Sequence, residues 1–118
     1  MPATGSLAPT VIVLGIPGTL STSSIVSAVM PFNGRITSAY VAVTTAPVGS
    51  ALTADLKVGS DVAAVFSVAA AGASDEGALT NANCDFVAGD IVSLDVSAVG
   101  SSTAGSNITC SFTVQEGR

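Results

Sequence analysis

The chain has no histidine and no tryptophan, and its basic residues are Arg35, Lys57 and Arg118 alone. Without histidine, the serine–histidine and cysteine–histidine pairs of nucleophilic catalysis cannot be assembled in their usual form. Lys57 is the one remaining candidate to activate a serine. It falls on the outward phase of a strand-like run with no motif around it, so no catalytic residue and no enzymatic activity are expected. Three scattered cations cannot neutralise a run of phosphates, so no nucleic-acid partner is expected. With a net charge of −5, an anionic membrane surface is disfavoured as well. Aromatic residues make up 4%, too few for the girdles of a membrane barrel. Mean hydropathy is +0.69, yet Ser, Thr, Gly and Pro interrupt every apolar stretch well short of the ~18 residues of a spanning helix. No membrane partner is therefore expected.

Charge of either sign is scarce. Asp, Glu, Lys and Arg together make 9% of the chain, against about a quarter in ordinary domains. Apolar residues make 48%, so disorder, which needs low hydrophobicity and high charge, is excluded for most of the chain. A surface with so few charges must be covered by hydroxyls, glycine and small apolar side chains. Such a surface suits packing against other protein; a monomer coated in Ser and Thr is the alternative.

The 118 residues are enough for one domain with its own core. Residues 1–9 (MPATGSLAP) are rich in Pro, Gly and Ser and show no periodicity, which reads as an N-terminal arm or leader. They carry no basic n-region, and the apolar run Val11–Leu14 is too short for a signal-peptide core. The chain is thus expected to stay where it is made. Residues 10–118 read as a single β-sandwich domain.

Short β-branched and alternating runs follow one another, separated by turn signals. Thr10–Ile16 is stopped by Pro17-Gly18, and Thr19–Met30 is the next run. Asn33-Gly34 has the form of a hairpin turn. In Arg35–Thr45 one phase carries Ile36, Tyr40 and Ala42 and the other Ala39, Val41 and Val43, which suits a central strand. Ala51–Val58 places Leu52, Ala54, Leu56 and Val58 inward, with Thr53, Asp55 and Lys57 outward. Val62–Ala69 puts Val62, Ala64, Phe66 and Val68 in phase. Residues 69–82 read as a loop exposing Asp75 and Glu76, then a short strand or turn near Ala78–Thr80. Ala82–Val87 leads into the turn Ala88-Gly89-Asp90. Ile91–Val99 turns Val92, Leu94, Val96 and Ala98 inward, and Ser106–Gln115 does so with Ile108, Cys110, Phe112 and Val114. Phe66, Phe86 and Phe112 read as core. No run has the length of a βαβ crossover helix. The expected fold is all-β: an antiparallel β-sandwich of about eight strands with jelly-roll or Greek-key connections.

The remaining functional groups point to no site. Asp55, Asp61, Asp75, Asp85, Asp90 and Asp95 fall in turns or on outward phases, where solvated carboxylates are the rule. Asp75-Glu76 is the best candidate for calcium, but no EF-hand or Gly-Asp repeat accompanies it. No metal and no cofactor are therefore expected. Cys84 and Cys110 match no zinc spacing. A reducing site of synthesis favours free thiols, with a Cys84–Cys110 bridge as the alternative. Asn107-Ile-Thr109 has the form of a glycosylation acceptor, but lacks the export signal that would make it one.

Two stretches, Pro31–Gly59 (PFNGRITSAYVAVTTAPVGSALTADLKVG) and Phe86–Thr109 (FVAGDIVSLDVSAVGSSTAGSNIT), resemble small β-sandwich domains of tailed-bacteriophage structural proteins: capsid decoration (cement) proteins and the tips of head or tail fibres. The resemblance covers roughly Pro31–Val114 and consists of strand-and-turn patterns. It implies a virion protein on the capsid surface, assembled in the host cytoplasm, acting as a trimer and binding the major capsid protein to stabilise the shell. A receptor- or glycan-binding fibre tip is the other role it allows. On the first reading the N-terminal arm lies along the capsid, with Leu7 and Pro9 as capsid-binding residues.

Overall fold

Alternation of period two puts one face of each strand into a common interior, and that interior organises the molecule. A computed structural model describes residues 9–117. These form β1 (Thr10–Thr19), β2 (Ile25–Val29), β3 (Gly34–Thr45), β4 (Leu52–Val58), β5 (Asp61–Val68), β6 (Ser74–Glu76), β7 (Ala78–Leu79), β8 (Asp85–Phe86), β9 (Ile91–Ala98) and β10 (Ser106–Glu116), with a 3-10 turn at Asn81–Asn83. One sheet runs β1–β10–β3–β6, with β8 also on β3. The other runs β2–β9–β4–β5–β7. Every strand pair is antiparallel. The chain crosses from sheet to sheet at almost every connection, and only the β4–β5 turn joins sequence neighbours within one sheet. This is the jelly-roll order. The strand count exceeds eight because β6 and β8 share one edge of β3 and β7 is added outside β5.

The two sheets enclose one core, in which Leu52, Leu56, Phe66, Val68, Val92, Leu94, Val96, Ile108, Phe112 and Val114 are fully buried. Each such aliphatic or phenyl side chain contributes roughly 1.5–3 kcal/mol of transfer free energy. The inward sets expected for β4 and β10 are buried in full, and Phe86 joins Phe66 and Phe112 in the core. Strand β3 is central, between β10 and the β6/β8 edge.

Five local expectations are corrected. Pro17-Gly18 does not stop β1. The strand runs on to Thr19, with Ile16 opposite Ile108 and Thr19 opposite Ser106. The extra residue is a bulge: Gly18 has φ +83° and donates its N–H to the Asn107 Oδ1 at 2.7 Å. Proline, which has no N–H to give a ladder, is tolerated because β1 is an edge. Second, Thr19–Met30 is not one strand. The Ser24 Oγ accepts the Ser21 N–H and the Ser21 Oγ accepts the Ser23 N–H, so side-chain hydroxyls hold a turn and β2 begins at Ile25. Third, Asn33-Gly34 closes no hairpin, because β2 and β3 lie in different sheets. Asn33 instead accepts the Ala88 N–H on its Oδ1. Fourth, β3 changes phase. Its register slips at Thr37, so Ile36 and Ala39 both face inward while Tyr40 and Ala42 are exposed. Fifth, within 69–82, the segment expected to be a loop, Ser74–Glu76 pairs with β3 and Asp75 is part-buried.

One connection depends on a missing side chain. The Val48 N–H donates to the Thr103 carbonyl at 2.9 Å and the Ser102 N–H to the Val48 carbonyl at 2.8 Å. A Cβ on buried Gly100 would overlap the Thr103 carbonyl oxygen and fall within 2.7 Å of Val48 N. Both obstacles are backbone, so neither can swing aside. Gly100→Ala is expected to cost about 2–3 kcal/mol, read as a lower urea midpoint at unchanged slope.

Candidate functional site

The outer face of the β1–β10–β3–β6 sheet is built in rows. Val11 lies beside Thr113 and Ser38. Val13 lies beside Ser111 and Tyr40, and Tyr40 beside Glu76. Gly15 lies beside Thr109 and Ala42. Hydroxyls, valine and one tyrosine cover this face, with Glu76 the only charge in these rows. The outer face of the second sheet differs. There Asp95 lies opposite both Ile25 and Asp55, and Lys57 opposite Ser93. The Lys57 ammonium donates to the Asp95 carboxylate at 3.2 Å, offsetting the repulsion of the two facing aspartates. Lys57 is therefore an ion-pair partner. Such half-exposed pairs contribute about 1 kcal/mol at most.

Edges β1 and β2 lie on the same side of the sandwich and touch one another. Exposed apolar side chains flank this edge on opposite outer faces: Val11 (60%) and Val13 (58%) on that of the β1–β10 sheet, and Ile25, Val29 and Ile91, the cross-strand partner of Val29, on that of the β2–β9 sheet. No charged residue occurs before Arg35, so both edge strands are uncharged along their whole length. Exposed apolar side chains along uncharged edge strands suit contact with other protein. The sequence carried the signal for this, the uncharged run up to Gly34, but strand phases alone could not show that its two strands share a side.

Pro9 is exposed immediately before β1, at the head of this side, while Leu7 lies outside the described residues. Of the candidate calcium pair, the Asp75 carboxylate accepts the Ser67 N–H at 2.8 Å, and Glu76 is exposed at the end of β6. Among the described residues no three metal-ligating side chains converge. Arg35 donates to the Asp85 carboxylate at 2.6 Å and to the Asn81 carbonyl at 3.0 Å. It pins β8 and the 3-10 turn to β3 beside a hollow of about 360 Å³ lined by Gly34, Arg35, Asp85, Phe86 and Val87. The Asn107 amide is likewise in use: it accepts from Gly18 and donates to Thr44 Oγ1 at 2.8 Å.

Cys84 and Cys110 are free and buried. Burial raises the Cys84 thiol above its ordinary pKa, with Arg35 partly offsetting and Asp85 adding to the rise. Burial alone pushes Cys110 up to about 12. Both are protonated core groups at neutral pH, unlike the exposed, electropositive setting of a reactive thiol.

Comparison with known protein families, with curated proteins and with solved structures finds no match.

Proposed function

We propose that the chain is a virion structural protein: a capsid decoration protein that seats on the major capsid shell and stabilises it by contact. The observation that carries this reading is the pair of uncharged edge strands β1 and β2, which expose Val11 and Val13 on one outer face and Ile25 and Val29 on the other. An isolated protein in water gains nothing from such edges; a subunit in an assembly buries them. The jelly-roll order supports the reading by analogy, since viral capsid domains use it, although fold alone does not fix function.

Copy number tests it. Mass spectrometry of purified particles should find the chain in numbers comparable with the major capsid subunit. A few copies per particle would favour a fibre or tail component, and absence from particles would sink the proposal. The fibre-tip reading has one observation in its favour. Tyr40 is half-exposed on a hydroxyl-rich face, and an exposed ring beside hydroxyls is what a sugar face stacks on.

A further inference from the structure

We propose that β1 pairs with β1 of a second copy across a twofold axis, joining two β1–β10–β3–β6 sheets into one continuous sheet. This goes beyond the capsid reading and does not depend on it. Among the described residues, strand β1 bonds to β10 and to no strand on its other side. Among the described residues, no further backbone partner occupies the other edge of Thr10–Gly18. Monomeric proteins blunt such edges with lysine, proline, bulges, inward-pointing charge or very short strands. Strand β1 is long and uncharged, and its proline and bulge lie only at its end, at Pro17 and Gly18, so Thr10–Ile16 carries none of these devices.

That bulge fixes the register. Antiparallel self-pairing must end at Pro17, which has no N–H. The greatest overlap of Thr10–Ile16 with itself then places Val13 on the axis. It sets Ile12 opposite Leu14, Thr10 opposite Ile16, and Val11 opposite Gly15. On the inner face, half-buried Ile12 gains cover from the partner copy. On the outer face, the exposed Val11 of each copy meets the one position of the strand interior that lacks a side chain.

Gly15 is otherwise unexplained. A Cβ there would meet nothing closer than the Ile108 carbonyl at 3.8 Å, so the single chain does not require glycine. Interior strand glycine weakens a strand and often marks the approach of other chain. Its missing side chain opens a shallow hollow of about 340 Å³ walled by Pro17, Thr44, Asn107 and Thr109, beside the place the partner's valine takes. Charge agrees. The net −5 arises entirely from Arg35 onward, so the axis brings no like charges together across β1. The pairing consumes β1 and leaves Ile25, Val29 and Ile91 of the neighbouring edge for a shell. Identical edges cannot pair with themselves about a threefold axis, so this contact predicts a dimeric unit where the phage resemblance implies a trimer.

Native mass spectrometry and analytical ultracentrifugation of the full chain test it. The expected species is a dimer. Val13→Lys, which sets two ammonium groups face to face, should give a monomer at the same concentration with an unchanged far-ultraviolet circular dichroism spectrum. Gly15→Val should raise the dissociation constant at least tenfold. Val65→Lys, on the opposite sheet, should change nothing. Val13→Cys should cross-link under mild oxidation, because opposed Cβ atoms on the axis lie about 4.5–5.5 Å apart and the native thiols are buried. A monomeric or trimeric wild type, or a dimer that survives Val13→Lys and does not cross-link through Val13→Cys, would overturn the proposal.

Discussion

Phe66→Ala is expected to destabilise the fold by about 3–5 kcal/mol. The ring is fully buried in β5, and its surroundings cannot close over the gap. Its cross-strand partner is Ala54. Gly77, whose added Cβ would fall 2.6 Å from the ring, lies against its edge. Neither neighbour has a side chain long enough to fill the space, and both are held by backbone ladders or hydrogen bonds, since the Gly77 N–H donates to the Ala39 carbonyl at 2.7 Å. The cost is thus the lost transfer energy of the phenyl group plus a cavity that persists. Set against the 5–15 kcal/mol that domains typically hold, the variant should be close to unfolding at room temperature. Urea unfolding followed by circular dichroism measures it, with Phe66→Leu as the milder comparison. A loss below about 1 kcal/mol would show that the sheets collapse into the space, contrary to the close-packed interior inferred here.

Unbroken alternation is what the sequence made legible. In β4 and β10, alternation is unbroken and each inward residue is where period two puts it. In β3 it is broken at Thr37, and a bulge there is invisible in a run where both phases are apolar. The register partner that reveals it, Val114 beside Ile36 with Thr113 beside Ser38, lies far along the chain. Turn residues misled for a related reason. Asn33-Gly34 and Pro17-Gly18 have the local chemistry of chain reversal, but in a jelly roll most connections pass between sheets, so a turn signal says where direction changes and not which strands pair. Strand β6 was hidden because Ser74-Asp-Glu76 has little strand propensity; it is recruited by the open edge of β3. The uncharged stretch of β1 and β2 was readable as composition, but that both strands are neighbouring sheet edges comes only from topology.

Raising the pH should expose the buried thiols as a second weak point. Cys110 lies between Leu14 and Val41 of the neighbouring strands, with no charged group shifting it, and its pKa is pushed up to about 12 by burial alone. In the unfolded chain the same thiol ionises near its ordinary value of 9.0. Below pH 9 both states hold the proton and the stability is intact. Between 9 and 12 the unfolded state releases a proton that the folded state retains, so stability falls as pH rises. The slope is about 1.4 kcal/mol per pH unit, giving a loss on the order of 4 kcal/mol by pH 12. Cys84 is raised in the same direction and steepens the fall. Urea midpoints measured from pH 7 to 11 should therefore hold to about pH 8.5 and then decline. Cys110→Ala should start lower by roughly 1 kcal/mol for the small cavity and decline less steeply, leaving the part due to Cys84. Parallel curves for the wild type and Cys110→Ala would show that the thiol ionises as freely in the folded protein as in the unfolded one, and that the β10 interior is open to water at that position.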